Sequence, residues 1–176
     1  DVIGQSCLIV GMGRIGKKLA KICKSLDMVV KGIRTTSDDN TFTLEQMPDI
    51  IPDFDYIINI LPHSKETDSI FDKFMFNRMK KSSFFINVGR GKTVDENDLI
   101  SALKSKTIAG AGLDVFEKEP LHKYSELRYL QNVIITPHIA GYTKKYWKKQ
   151  KKLFSENLDR YLSIQPLINK VGYDRK

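Results

Sequence analysis

The chain has 176 residues, of which 41% are hydrophobic and 28% charged, and carries a formal net charge of +8. That length and apolar fraction suit one well-buried core and exclude a disordered, collagen-like or disulfide-scaffold chain. No apolar run reaches the ~20 residues of a membrane span, and the N-terminus lacks the layout of a signal peptide.

Taken in chain order, short apolar runs alternate with helical patterns, as βαβ units require. Ser6 to Val10 reads as a buried strand, followed by a glycine-rich turn. A helix then places Ile15, Leu19, Ile22 and Leu26 on one face, expected to be its buried one. Met28 to Ile33 and Tyr56 to Leu61 read as strands, Phe71 to Met79 as a helix, and Ser83 to Val88 as a strand. Asp95 is a candidate N-cap for a helix burying Leu99, Ile100 and Leu103. Ile108 to Leu113 and Asn132 to Thr136 are the last strands, and a long helix runs from about Thr143 to Ser163. The predicted fold class is α/β, a Rossmann-type doubly wound parallel sheet with helices on both faces. Residues 1–142 are expected to form it, with 143–176 as a C-terminal helix and tail.

Six lysines (Lys144, Lys145, Lys148, Lys149, Lys151 and Lys152) crowd the start of that last helix. Tyr146, Trp147, Leu153, Phe154, Leu158, Tyr161 and Leu162 supply its apolar side, so the lysines read as a solvated face. Neither nucleic acid nor membrane is therefore expected as a partner. Cys7 and Cys23 have no metal-ligand spacing and read as buried apolar residues of a reduced, cytoplasmic protein.

Gly11-Met12-Gly13-Arg14-Ile15-Gly16 is G-x-G-x-x-G, placed after a buried strand and at the start of a helix. Gly11 permits the tight turn, Gly13 lets a pyrophosphate approach the backbone, and Gly16 lets helix and strand pack closely. The helix N-terminus offers its free N–H groups and positive dipole end to the phosphates. An NAD site usually has an acid at the end of the second strand, but here Arg34 takes that place and Thr35 and Thr36 follow. A guanidinium followed by hydroxyls suits a ribose 2′-phosphate, so NADP(H) is favoured over NAD(H).

Three later segments end strands at the edge where open α/β sheets bind ligands: Asn87-Val88-Gly89-Arg90-Gly91, Asp114 to Pro120, and Thr136-Pro137-His138-Ile139-Ala140-Gly141. Together they offer an arginine, carboxylates and a histidine. Reduction of a 2-oxo acid needs that set: a guanidinium for the substrate carboxylate, an imidazolium as proton donor, and a carboxylate to orient it. Glu117 and Glu119 are both candidates for the last role. His63 reads as a loop residue and His122 as exposed.

These motifs, with Leu61-Pro62-His63-Ser64-Lys65-Glu66-Thr67, closely resemble the nucleotide-binding domain of the D-isomer-specific 2-hydroxyacid dehydrogenases, from about Gly4 to Gly172. The resemblance implies Arg90 for the substrate carboxylate and carbonyl, His138 as general acid/base and Glu119 as its partner. It puts Asp114 near the nicotinamide ribose and carboxamide, and the backbone at Arg14 and Ile15 on the pyrophosphate. Leu61, Pro62 and Val88 would line the cofactor path, with Ala140 near the nicotinamide. Members carry a substrate lobe before the first strand; here that strand starts at Ser6, so the expectation is a chain without the lobe, to which the C-terminal helix would return. The implied activity interconverts a small 2-oxo acid and its D-2-hydroxy acid, foremost as a glyoxylate/hydroxypyruvate reductase and as a homodimer through this domain. The alternatives are an NAD-linked D-lactate- or phosphoglycerate-type dehydrogenase and, more remotely, an NAD(H)-sensing corepressor.

Overall fold

The computed structural model describes residues 1–34 and 41–170. Among them, seven strands build one parallel sheet: β1 (Ser6–Val10), β2 (Val29–Ile33), β3 (Thr41–Phe42), β4 (Tyr56–Asn59), β5 (Phe84–Asn87), β6 (Gly110–Leu113) and β7 (Val133–Ile135). Their order across the sheet is β3-β2-β1-β4-β5-β6-β7. The order reverses between β1 and β4, the switch point at which doubly wound sheets open a ligand crevice. Every strand of the sequence reading is present, β1 at its expected bounds and the others shortened by one or two residues at one or both ends. The two-residue β3, paired to β2 through Gly32↔Thr41 and Ile33↔Phe42, had no sequence signal, because alternation needs a longer run.

Helices cover both faces. On one, α1 (Arg14–Ser25) packs on β1, β2 and β4 around Cys7, Ile9, Val30 and Ile58. On the other, α2 (Met47–Ile50), α3 (Lys73–Arg78) and α4 (Glu96–Lys104) close the larger core. Phe85 at its centre meets the rings of Phe71 and Phe76 at 4.8 and 5.4 Å, and all three are fully buried. Each such side chain contributes about 1.5–3 kcal/mol of burial. Asp95 caps α4 as expected, its carboxylate accepting the Asp98 N–H at 3.0 Å. Helix α3 is shorter than expected because Asp72, extended, caps it by accepting the Met75 N–H at 3.0 Å. Phe71 instead pairs with Val94 as an isolated bridge.

The buried face of α1 corrects the sequence reading. Gly16, Ala20 and Cys23 face the sheet, while Ile15, Ile22 and Leu26 are 66%, 57% and 49% exposed. Close approach decides this: a Cβ at Gly16 would stand 2.3 Å from the Gly11 carbonyl oxygen, so only a small-residue stripe can lie against this turn.

Residues Asp1–Ala140 and Gly141–Lys176 are separate compact units. In the second, α5 (Tyr146–Leu162) is tied to the tail by Asn157, whose carboxamide accepts the Ile168 N–H at 2.8 Å and donates to its carbonyl at 3.2 Å. Its lysines are exposed. Among the described residues no helix is long and apolar enough to cross a membrane.

Candidate active site

The glycine turn follows β1 at the switch point. Gly11 has φ +114°, a conformation L side chains avoid, and a Cβ there would meet Ile60 backbone at 3.0 Å. Gly13 caps α1, and a Cβ on it would have nothing within 4 Å, so the turn is open outward there. Among the described residues no side chain caps the N-terminus of this twelve-residue helix, and no acid lies in its first turn, where Arg14 and Ile15 are exposed. A bare helix end behind an open glycine turn fits a pyrophosphate. Arg34 lies just past β2, half-buried, its N–H donating to the Phe42 carbonyl at 3.0 Å. Thr35 and Thr36 lie outside the described residues. Leu61 is buried and Val88 half-buried after β4 and β5, while Pro62 is exposed.

Past β5 and β6 opens a cleft of about 390 Å³ whose walls include Arg90, Glu119 and His138. His138 Nδ1 and Glu119 Oε2 stand 2.6 Å apart. Glu119 is thus the partner; Glu117 lines the same cleft, its backbone N–H donating to Glu96 Oε2 at 3.2 Å. Glu119 Oε1 accepts the Phe116 N–H at 3.1 Å, so both oxygens are fixed. Partial burial pushes the Glu119 carboxyl up, but the bonds from His138 and Phe116, with the charges of His138 and Arg90, outweigh it and hold the group below the usual carboxylate range. Glu119 therefore stays ionised beside the imidazole. Arg90 is exposed to the cleft, with Nη1 donating to the Gly89 carbonyl at 2.7 Å.

Asp114 has a structural task that sequence did not reveal. It is buried at the end of β6, and its carboxylate accepts the Thr136 hydroxyl at 2.5 Å and the N–H groups of Ile139 and Ala140 at 2.8 and 2.9 Å. Its own carbonyl accepts the His138 N–H at 2.8 Å. Four bonds thus grip the loop in which His138 stands at φ +55°. Desolvation raises the Asp114 carboxyl, yet these donors and the nearby His138 charge bring it below its ordinary value.

His63 also lines the cleft, its Nε2 2.6 Å from Asp68 Oδ1, which the loop reading missed. Its position just past a strand end was the available signal. Lys92 stands on the same wall with no motif to announce it. His122 is exposed, as expected.

Residues 1–140 match the family model described as "D-isomer specific 2-hydroxyacid dehydrogenase, NAD binding domain". The chain is 46% identical over 144 residues to the "Probable 2-ketogluconate reductase" of Dictyostelium discoideum, covering 77% of this chain and 42% of that protein. It is 39% identical over 146 residues to the glyoxylate reductase of Pyrococcus horikoshii, covering 80% and 43%. The chain thus spans less than half the length of these curated relatives. Among solved structures, a D-isomer specific 2-hydroxyacid dehydrogenase of Xanthobacter autotrophicus Py2 in complex with NADPH and MES superposes with a TM-score of 0.86. That match is at 31% identity, over 96% of this chain and 71% of the other.

Proposed function

This chain belongs to the D-isomer specific 2-hydroxyacid dehydrogenases, and from that premise we propose that it reduces small 2-oxo acids to D-2-hydroxy acids in the manner of a glyoxylate/hydroxypyruvate reductase. The observation that carries the proposal is the 2.6 Å His138–Glu119 pair in one cleft with Arg90. Arg90 holds the substrate carboxylate and, by its charge, polarises the neighbouring carbonyl. His138, protonated and oriented by Glu119, donates its proton to the carbonyl oxygen and is left neutral. Glu119 is spent on His138 and Phe116, so it orients rather than reacts. A nicotinamide cofactor held at Gly11, Gly13 and the start of α1 would supply the hydride for the carbonyl carbon.

The open glycine turn and the bare start of α1 fit the cofactor's pyrophosphate. Arg34, with Thr35 and Thr36 by sequence, supports NADP(H) over NAD(H), and the Xanthobacter neighbour's NADPH is in keeping. Leu61, Pro62, Val88, Asp114 and Ala140 carry the remainder of the cofactor path in this reading. The exposed Ile15, Ile22 and Leu26 stripe of α1 supports a homodimer through this domain.

Steady-state reduction of glyoxylate, hydroxypyruvate and 2-ketogluconate with NADPH and with NADH tests the proposal. Turnover with NADPH preferred, falling ~10²-fold or more in His138→Gln, is expected. Absence of turnover on all three acids would favour a ligand-sensing role, and a clear NADH preference would reverse the cofactor assignment.

A further inference from the structure

We propose that Asn59, Asn87 and Thr93 form a positioning device for Arg90, fixing the backbone from which its guanidinium reaches the substrate carboxylate. The proposal rests on the reading of Arg90 as the carboxylate binder. All three side chains are polar and uncharged, and they are 0%, 1% and 0% exposed. They come from three separate segments: the last residue of β4, the last residue of β5, and the turn Gly91–Thr93. Asn59 and Asn87 are register partners on adjacent strands.

The hydrogen bonds run through the cluster in a definite direction. Asn59 Nδ2 donates one hydrogen to Asn87 Oδ1 at 3.1 Å and the other to Thr93 Oγ1 at 2.7 Å. Asn59 Oδ1 accepts the Leu61 N–H at 3.1 Å, and Asn87 Oδ1 accepts the Gly89 N–H at 3.1 Å. The Thr93 hydroxyl, accepting from Asn59, donates its single proton to the Arg90 carbonyl at 2.6 Å. Asn87 Nδ2 reaches the same carbonyl at 3.3 Å, and the Thr93 N–H reaches it at 3.2 Å. Direction is therefore fixed from Asn59 through Thr93 to Arg90, and three donors converge on one carbonyl.

Stability alone does not call for this cluster. Its site adjoins the apolar core, where replacing satisfied polar partners by apolar side chains of the same shape is often nearly neutral. What the polar groups add is directionality. On the far side of Arg90, a Cβ on Gly91 would stand 1.8 Å from the Phe116 carbonyl oxygen, so that residue is pressed against the segment leading to Glu119. Arg90 thus hangs between two fixed points, with only its side chain free to meet substrate.

The test uses oxamate, a small carboxylate resembling a 2-oxo acid, on the full chain loaded with NADPH, with calorimetry for binding and glyoxylate kinetics alongside. Thr93→Val keeps the shape and removes the hydroxyl, whereas Thr93→Ser keeps the hydroxyl. Thr93→Val is expected to weaken oxamate binding and raise the glyoxylate KM by about tenfold, with the NADPH Kd within about twofold. Thr93→Ser should stay close to the unaltered protein, and Thr93→Ala, which admits a water to Asn59, gives a folded alternative with the same direction of effect. In an Arg90→Gln background, Thr93→Val should add almost nothing, because it acts through the residue already removed. An equal loss in both backgrounds, or oxamate binding unchanged in both Thr93→Val and Thr93→Ala, overturns the positioning role. Unchanged oxamate binding in Arg90→Gln alone overturns instead the carboxylate reading on which the proposal stands.

Discussion

Replacing Asp114 by Asn removes one acceptor from a residue that uses all of its acceptors. The carboxylate is 4% exposed and takes the Thr136 hydroxyl and the Ile139 N–H on one oxygen and the Ala140 N–H on the other. An asparagine of the same shape has one accepting oxygen. If that oxygen serves Thr136 and Ile139, its amide nitrogen confronts the Ala140 N–H, donor against donor. If the amide flips, the Ile139 N–H is orphaned instead, and the Thr136 hydroxyl must turn to accept from the amide nitrogen. One lost charge-assisted bond and one unmet buried donor, each worth about 1–3 kcal/mol, overlap to a cost of about 2–4 kcal/mol. At ~2–4 °C per kcal/mol for a domain of this size, melting should fall by ~4–16 °C. Thermal unfolding followed by circular dichroism gives that number, and amide hydrogen exchange locates it. Ile139 and Ala140 should lose protection while the strands keep theirs. Melting within about 1 °C of the parent, with unchanged exchange at Ile139 and Ala140, would refute the claim that this carboxylate holds the His138 loop.

Gly16→Ala drives a Cβ to 2.3 Å from the Gly11 carbonyl oxygen, a backbone atom that cannot turn aside. A loss of about 2 kcal/mol or more is expected, together with NADPH binding weakened about tenfold by titration calorimetry as the turn is displaced; unchanged affinity would contradict the cradle. The Asp55 carboxyl is held at about 2, below its ordinary 3.8, by the Lys80 ammonium at 2.7 Å and the Ser6 N–H at 2.8 Å. A folded-state value below the unfolded one stabilises above the unfolded pKa, and the gain is lost as pH falls through the folded value. Roughly 1–2 kcal/mol should therefore disappear between about pH 4 and pH 2. Urea unfolding across that range should show the loss in the parent and not in Asp55→Asn; parallel curves would exclude it.

The sheet was legible because buried parallel strands are short apolar runs between turn residues, and Ser6 to Val10, Tyr56 to Leu61 and Ser83 to Val88 all meet that description. The glycine turn was legible because each of its glycines answers a separate steric demand. The choice of Glu119 over Glu117 came only from resemblance, since two residues of spacing do not tell which carboxylate a loop will turn inward. The α1 face was misread for a physical reason. Ile15, Leu19, Ile22 and Leu26 form a helical stripe, but so do Gly16, Ala20 and Cys23, and close packing on the turn selects the smaller one, with Leu19 packed at its margin. The cluster of Asn59, Asn87 and Thr93 left no trace in sequence, because its members are 28 and 34 residues apart and asparagine at a strand end reads as a turn.

The two arms of the proposed site, Arg90 and His138, are held by the same kind of device. Asn59, Asn87 and Thr93 close on the Arg90 carbonyl, and Asp114 closes on the amides that follow His138. Between them Gly91 presses on Phe116, whose N–H in turn holds Glu119. The bonds that hold these segments are made between protein groups, so the guanidinium, carboxylate and imidazole stand on settled backbone before any substrate arrives. Groups already fixed where charge develops need little reorganisation during reaction, which is the largest advantage an active site has over water. It follows that substitutions in these buried supports should weaken substrate capture and turnover while leaving the glycine turn and its affinity for the cofactor almost untouched.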